Sequence, residues 1–378
     1  MDHILCGNRS LPDPLVSGGG ERIVSAEQWR QKRRPEILEL FRKHVYGRAP
    51  IGRPGRLSFE ETDVRDSMMD GTATRRKIDI RFEGPGGKGV IHLLLFTPNG
   101  IPKPLPAFLL ICNRGADNID PDRNEKSPFW PAEQIVARGY AAAAFQVSDA
   151  DPDEDDGFKN GVHGIFDPGD EPRPPDAWGT ISAWAWGASR VMDYFETNPH
   201  IDIRRVAVVG HSRGGKTALW CGAQDDRFAL VISNESGCTG AAIARGTKGE
   251  TVKDINKVFP HWFCGNYKKY NERESELPVD QHMLLSLIAP RPVYVASASE
   301  DIWADPESEF LSCVCAEPVY HLFGLKGLEI NKMPLPEQPV HNGFIGYHLR
   351  TGKHDLTEYD WKRFMDYADR FIYTEERT

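Results

Sequence analysis

An α/β fold, a three-layer sandwich around a mostly parallel sheet with an antiparallel start, is predicted by three features of the chain. Strand-like runs at Arg76–Phe82 and Val90–Phe96 follow each other closely, as in a hairpin. From Ala107–Cys112 onward, short apolar or β-branched runs alternate with helix-forming stretches, the pattern of parallel strands joined by crossover helices. Third, Gly210-His211-Ser212-Arg213-Gly214-Gly215-Lys216 joins the run Val206–Val209 to Thr217-Ala218-Leu219-Trp220. That reads as strand, tight turn, helix.

Taken in order, the elements begin with an amphipathic helix over 25–46. Ser25 is its candidate N-cap, and Ile37, Leu38, Leu40 and Phe41 form the face turned to the body. Further strand-like runs lie at Tyr140–Phe145, Val206–Val209, Leu230–Ser233, Val293–Ala298 and Ile345–Leu349, with helices at Trp178–Glu196, Thr217–Gln224 and Tyr359–Phe371. This is the α/β-hydrolase layout. Two insertions, about 149–175 and 236–278, interrupt it, yet no composition break calls for a second unit, so residues 1–378 are read as one domain. The first insertion clusters Asp151, Asp153, Glu154, Asp155 and Asp156. A calcium ion wants several such oxygens, but the spacing fits no defined loop, and a solvated surface excursion with no metal is expected. The second insertion carries Trp262, Phe263 and Tyr267 and is expected to shape a cleft, while Trp262, Phe263, Trp184 and Trp186 themselves are assigned to the core.

Composition excludes several function classes. The chain has 378 residues, 40% of them hydrophobic, with nine Trp and eighteen Phe, enough for a sizeable core. A formal charge of −9 argues against nucleic-acid binding, which uses a basic face. Mean hydropathy is −0.48, and no apolar run approaches the ~18 residues of a membrane span. Residues 1–10 lack the charged-then-apolar layout of a signal peptide, which leaves a cytoplasmic chain or a mature form without its leader. Seven cysteines, an odd number without zinc-type spacing, are read mainly as buried free thiols, with one disulfide still open. Cys313-x-Cys315 falls in an expected helix.

The chemistry centres on Ser212. In a G-x-S-x-G turn the nucleophile sits in a strained backbone conformation and crowds its neighbours, so Gly210 and Gly214 must lack a Cβ. The new helix aims backbone N–H groups at developing negative charge. A serine there needs a base, and the base an orienting carboxylate. Six histidines follow Ser212. His354 is favoured, because it lies in a loop between a strand-like run and the last helix. His348 lies inside the strand and reads as structural; His341, in a Pro/Gly/Asn loop, is the outside candidate. Two carboxylates compete for the third role: Asp301, after the run Val293–Ala298, and Glu235, after Leu230–Ser233. Either loop end can reach the imidazole. Arg213 offers its N–H and guanidinium to an oxyanion, joined by an N–H from the loop Cys112-Asn113-Arg114-Gly115, or else it serves a structural ion pair with a loop carboxylate. Lys216 offers three donors to hydroxyls, or is a solvated helix residue. Trp303 offers an apolar face and one N–H donor.

Six stretches together resemble carbohydrate esterase family 15, the glucuronoyl esterases, and its bacterial branch in particular. They are HSRGGK (211–216), SNESG (233–237), FPHWFC (259–264), LPVDQHMLLSLIAPRPVYVASASEDIWADP (277–306), GYHLRTGKHDLTEYDW (346–361) and RRPEILELFRKHVYGRAP (33–50). The resemblance implies a cofactor-free serine esterase that cleaves esters of glucuronic or 4-O-methylglucuronic acid on xylan with lignin alcohols. It implies Ser212 as nucleophile, His354 as base, and Glu235 or Asp301 as acid, with a lean to Glu235. Arg213 would stand at the oxyanion, and Lys216, Glu250 and Trp303 at the sugar hydroxyls. One departure is His211, where fungal members carry a disulfide-bonded cysteine. The resemblance also implies a secreted or periplasmic monomer acting on glucuronoxylan, with neither nucleic acid nor membrane as partner. The alternatives are an acetylxylan or broad-specificity carboxylesterase and a non-catalytic carbohydrate-binding hydrolase fold. A peptidase has less support, since no size-excluding domain is evident.

Overall fold

Nine strands form one sheet whose spatial order places the parallel pairs together and leaves the hairpins at one edge. The structure, a computed structural model, describes residues 3–167, 169 and 171–373. A hairpin of β1 (His3–Cys6) and β2 (Arg9–Pro12) stands apart from the sheet. The sheet strands are β3 (Arg56–Met68), β4 (Ala73–Gly84), β5 (Gly87–Pro98), β6 (Leu105–Cys112), β7 (Ala141–Gln146), β8 (Ile201–His211), β9 (Leu230–Asn234), β10 (Val293–Ala298) and β11 (Ile345–Arg350). They lie in the order β11-β10-β9-β8-β6-β7-β5-β4-β3. β3, β4 and β5 pair antiparallel, β5 meets β7 antiparallel, and β7 through β11 run parallel. The antiparallel start and parallel remainder are as expected, and the expected strands lie within one or two residues of their observed ends except β4, β5 and β8, which run longer.

β6 shows why the parallel strands lack alternation: every residue in it is buried. Leu109 and Ile111 belong to one core, whereas Phe108, Leu110 and Cys112 belong to the other. Both faces are covered, so both must be apolar. On the first face lie the helices Thr180–Phe195 and Arg213–Gln224 and the N-terminal helical segment; on the second lie Ala132–Ala137 and Glu358–Ala368. Three layers result. The N-terminal segment is helical over 26–46, with wider turns at 29–33 and 42–46, and Ser25 Oγ accepts the Gln28 N–H at 3.2 Å as its cap.

One open question is settled and one expectation is corrected. Cys6 and Cys315 are disulfide-bonded across 309 residues, fastening the β1–β2 hairpin to the helix Pro306–His321; the other five cysteines are free and buried. Nor is the acidic run a solvated excursion at its start. Asp151 binds His163 Nδ1 at 2.9 Å and Thr180 Oγ1 at 2.8 Å, and Asp153 turns inward as described below, while Asp156 accepts the Phe158 and Asn160 N–H groups. Part of this insertion, Pro168 and Asp170, lies outside the described residues. Among the described residues no helix is long and apolar enough to cross a membrane.

Candidate active site

Where β8 meets its helix, the chain turns in too little space for side chains. Ser212 takes φ 56° and ψ −123°, a costly region for a non-glycine residue. A Cβ on Gly210 would lie 1.9 Å from the Gly214 carbonyl oxygen. The turn is held by the Ser212 N–H donating to Asn234 O at 2.9 Å, the last residue of β9. Ser212 thus stands at the carboxyl edge of the sheet, where the β9, β10 and β11 loops converge.

All eight residues singled out as catalytic or substrate-binding line one cavity of about 290 Å³: Ser212, Arg213, Lys216, Glu235, Glu250, Asp301, Trp303 and His354. Phe259 and Trp262 add an aromatic wall, and Ser236, Gly237 and Ala304 complete the lining. Trp262, expected in the core, is 3% exposed and yet borders this cavity, so it serves both. Trp184, Trp186 and Phe263 are buried as expected.

His354 meets both candidate acids through one nitrogen. Its Nδ1 lies 2.6 Å from Asp301 Oδ2 and 3.3 Å from Glu235 Oε2. A hydrogen on Nδ1 leaves the Nε2 lone pair free to accept a proton. Burial alone would lower the imidazole pKa, but Asp301 and then Glu235 outweigh it and push the value up to about 9. Glu235 is buried, and that burial raises its carboxyl to about 7 in spite of His354 and Arg350. It is held on every side: Oε1 accepts from Arg350 Nη2 at 2.7 Å and Asn234 Nδ2 at 3.1 Å, and Oε2 accepts the Asp355 N–H at 3.0 Å. Behind the base, the His211 ring centroid lies 4.4 Å from that of His354. Burial, and then the charge of His354, hold His211 well below its ordinary pKa, so it packs as a neutral ring.

His348 and His341 lie away from the serine. His348 is fully buried in β11 between Asp360 Oδ1 at 2.8 Å and Tyr294 Oη at 3.0 Å, the structural position expected for it. His341 Nε2 sits 2.8 Å from the same tyrosine hydroxyl. Arg350 donates Nε to Asp360 at 3.1 Å, so this buried polar layer ends against Glu235.

The cationic side of the cavity is built more firmly than its sequence suggests. Arg213 Nη1 is ion-paired with Asp153, whose other oxygen accepts from Trp262 Nε1 at 2.7 Å and faces His261 Nε2 at 3.0 Å. The guanidinium lies 4.8 Å from the Trp262 ring centroid and 5.2 Å from that of Phe259. Burial alone would raise the Asp153 pKa, but His261, Trp262 and Arg213 hold it below the usual carboxylate range. Of the two expectations for Arg213, the ion pair with a loop carboxylate is present, and the residue also lines the cavity.

Lys216 is buried rather than solvated, and two of its three donors are already committed: Nζ gives to Ser236 O at 2.5 Å and Cys238 O at 2.6 Å. Its charge lies 3.9 Å from Glu250 Oε2. Trp303, 59% exposed, stands at the rim, where its carbonyl accepts the Glu250 N–H at 2.9 Å. The 112–115 loop, expected to supply an oxyanion donor, contributes no residue to the lining. Its Arg114 instead pairs with Asp355 at 2.7 Å and stacks on Phe129.

Two sets of three side chains bring ligating atoms within 4.8 Å among the described residues: Glu235, Asp301 and His354, and Glu317, His321 and Glu329. In the first set the histidine atom facing both acids is Nδ1, as an acid–imidazole relay requires. The second is at the far end of the helix Pro306–His321, remote from Ser212.

A strained serine at a strand–helix turn, sharing a cavity with an acid-held imidazole, defines a serine hydrolase on the α/β-hydrolase fold. Comparison with known proteins narrows the class. A family profile described as glucuronyl esterase of fungi matches residues 138–324. Carbohydrate esterase MZ0003, from an unknown prokaryotic organism, is 43% identical over 96% of this chain and 90% of its own length. A glucuronoyl esterase structure from Solibacter usitatus superposes with a TM-score of 0.89 at 42% identity, covering 96% of this chain and 97% of that one. The 4-O-methyl-glucuronoyl methylesterase 1 of Wolfiporia cocos is 36% identical over 98% of this chain and 82% of its own. The chain belongs to carbohydrate esterase family 15, the glucuronoyl esterases.

Proposed function

We propose that Ser212 hydrolyses esters of glucuronic or 4-O-methylglucuronic acid, as in the lignin–carbohydrate linkages of glucuronoxylan, through an acyl-enzyme. His354 Nε2 takes the Ser212 proton as Oγ attacks the ester carbonyl. Asp301, at 2.6 Å, and Glu235, at 3.3 Å, stabilise the imidazolium that forms. Negative charge on the former carbonyl oxygen faces the Arg213 guanidinium and the N–H groups at the start of its helix. Collapse expels the alcohol, which takes its proton from His354. Water activated by the same imidazole then releases the uronic acid and frees the serine. Lys216, Glu250 and Trp303 hold the sugar of the acyl group.

The observation that carries this reading is the cavity itself: the nucleophile, the acid-held base and a fixed cation share it with a lysine–glutamate pair and an exposed tryptophan. An enzyme for acetyl esters would have no use for a sugar-sized polar wall on the acyl side. The protein is further assigned to the periplasm or the extracellular medium, as a monomeric single domain that works on polysaccharide and binds no nucleic acid.

A broader esterase is the second reading, because a 41% identical structure from a marine bacterial metagenome is described as a promiscuous member of the family. The test compares kcat/KM on benzyl glucuronate and p-nitrophenyl acetate for the native enzyme and for Ser212→Ala. Preference for the uronate, abolished in the variant while its thermal transition is unchanged, is expected. Greater efficiency on the acetate would overturn the substrate assignment, and hydrolysis persisting in Ser212→Ala would overturn the nucleophile.

A further inference from the structure

A second cavity, of about 520 Å³, opens at the far end of the helix that Ser212 begins. Gln224 and Asp225 line it, and twelve helical residues place it about 18 Å from the nucleophile at 1.5 Å per residue. Four guanidiniums, those of Arg42, Arg48, Arg190 and Arg227, face it against one carboxylate, Asp225. Both Asp225 oxygens are engaged by Arg227, at 2.9 and 2.7 Å. The acids that anchor the other arginines stand behind the wall: Asp176 holds Arg48 at 2.8 Å, Asp193 holds Arg190 at 2.6 Å, and Glu196 holds Arg227 at 2.7 Å. None of these three lines the cavity.

The anchoring leaves donors unspent. Arg190 gives Nε to Asp193 and Nη1 to Gly52 O at 2.6 Å, which leaves Nη2 without a partner among the described residues. Arg42 is only part exposed, and among the described residues no carboxylate pairs with it; Glu39, whose charge acts on it, is taken by Arg48. The Gln224 amide likewise has no hydrogen-bond partner among the described residues. Rigid guanidiniums with free N–H groups recognise a carboxylate through paired hydrogen bonds, and an amide beside them suits a hydroxyl. The volume is that of a site for a small organic ligand.

We propose that this cavity is a second, non-catalytic site that binds the free carboxylate of a uronic acid residue carried on the polysaccharide. The inference rests on the uronate-ester assignment above, and the link is chemical. Each turnover leaves a carboxylate on the chain where an uncharged ester stood. The product anion is therefore present on the same polymer as the remaining esters, and a site that holds it keeps the enzyme beside them.

The test uses full-length protein carrying Ser212→Ala, so that binding is read without turnover. Its migration is followed in native gels containing glucuronoxylan or xylan without uronate side groups. Retardation by glucuronoxylan alone is expected, and Arg42→Gln added to it should weaken that affinity about tenfold, the loss of one charge-assisted hydrogen bond. Gln224→Ala should weaken it less. Sodium glucuronate in the gel should relieve the retardation, and inorganic phosphate at equal ionic strength should not. In the otherwise native enzyme, Arg42→Gln should leave kcat/KM on benzyl glucuronate unchanged, which separates this site from the catalytic reading. Equal retardation by both xylans, insensitivity to Arg42→Gln in a protein with a native thermal transition, or equal relief by phosphate would overturn the proposal.

Discussion

Replacing Asp301 by Asn removes the negative charge beside His354 while keeping the side-chain shape, and the geometry fixes what should follow. The lost contact is the 2.6 Å approach of Oδ2 to His354 Nδ1. Hydrogen bonds to charged groups contribute about 1.5–3 kcal/mol net, so kcat/KM on benzyl glucuronate should fall about 10- to 150-fold. The loss stays in that range because Glu235 Oε2 remains 3.3 Å from the same nitrogen. Glu235→Gln should cost less, since the contact is longer and the amide still offers Arg350 an oxygen. With both replaced, the loss should approach the ~10⁴-fold known for a triad whose sole acid becomes an amide. The pH profile supplies a second readout. His354 must be neutral to accept a proton, and the two acids push its pKa up to about 9 against the effect of burial. Native kcat/KM should therefore rise as pH approaches that value. Removing either carboxylate weakens the hold on the imidazolium proton, so the rising limb moves to lower pH, and furthest in the double variant. Steady-state kinetics across the pH range, with released benzyl alcohol quantified, measures both effects. An Asp301→Asn enzyme with native kcat/KM and an unmoved limb would refute the shared-acid arrangement.

Two further outcomes are expected. Arg213→Ala should lower kcat about 10²- to 10³-fold with little change in KM, the loss of one preorganised oxyanion donor; Asp153→Asn, which loosens the guanidinium without removing it, should lower kcat by a smaller factor. Unchanged kcat in Arg213→Ala would remove that residue from the mechanism. Thermal stability should fall as pH rises from about 7 to 9. Burial first of all raises Glu309 to about 8, and the acids raise His354 to about 9, so the folded state holds protons there that unfolding releases. Glu235, at about 7, adds to the early part of that fall. The histidines lowered chiefly by burial, His44, His200, His211, His282 and His341, are neutral when folded and mostly neutral when unfolded at these pH values, so they oppose it only near pH 7 and weakly. Calorimetric Tm at constant ionic strength measures the slope, and a Tm that rises over this window contradicts the assigned protonation states.

What the sequence disclosed and what it withheld follow one physical line. β6, β7, β9, β10 and the second half of β8 were legible because strands buried on both faces are mostly apolar, and β11 was legible through Ile345, Tyr347 and Leu349 although it also buries His348 and Arg350. β3, Arg-Leu-Ser-Phe-Glu-Glu-Thr-Asp-Val-Arg-Asp-Ser-Met, was not, because at the sheet edge most of its side chains meet water and only Leu57, Phe59 and Met68 of its thirteen residues pack on a core. At the site, Ser212, His354 and the two acids were legible because each sits at the end of a strand that could be recognised. Asp153 was not: nothing in a run of acidic residues marks the one that will meet Arg213, His261 and Trp262, which lie 60 or more positions onward. Glu309 was hidden for the same reason. A glutamate in the first turn of a helix reads as surface, yet this one is fully buried, accepting the Ser297 hydroxyl at 2.6 Å and the Gly237 N–H at 2.9 Å. Those two contacts tie the strand that leads to Asp301 to the loop that carries Glu235. Both acids facing His354 are thus braced by a third carboxyl that, with its pKa near 8, is mostly neutral at pH 7 and adds little repulsion. Apolar burial is written locally, in periodicity; the burial of a charge such as Asp153 or Glu309 is decided by partners distant in sequence.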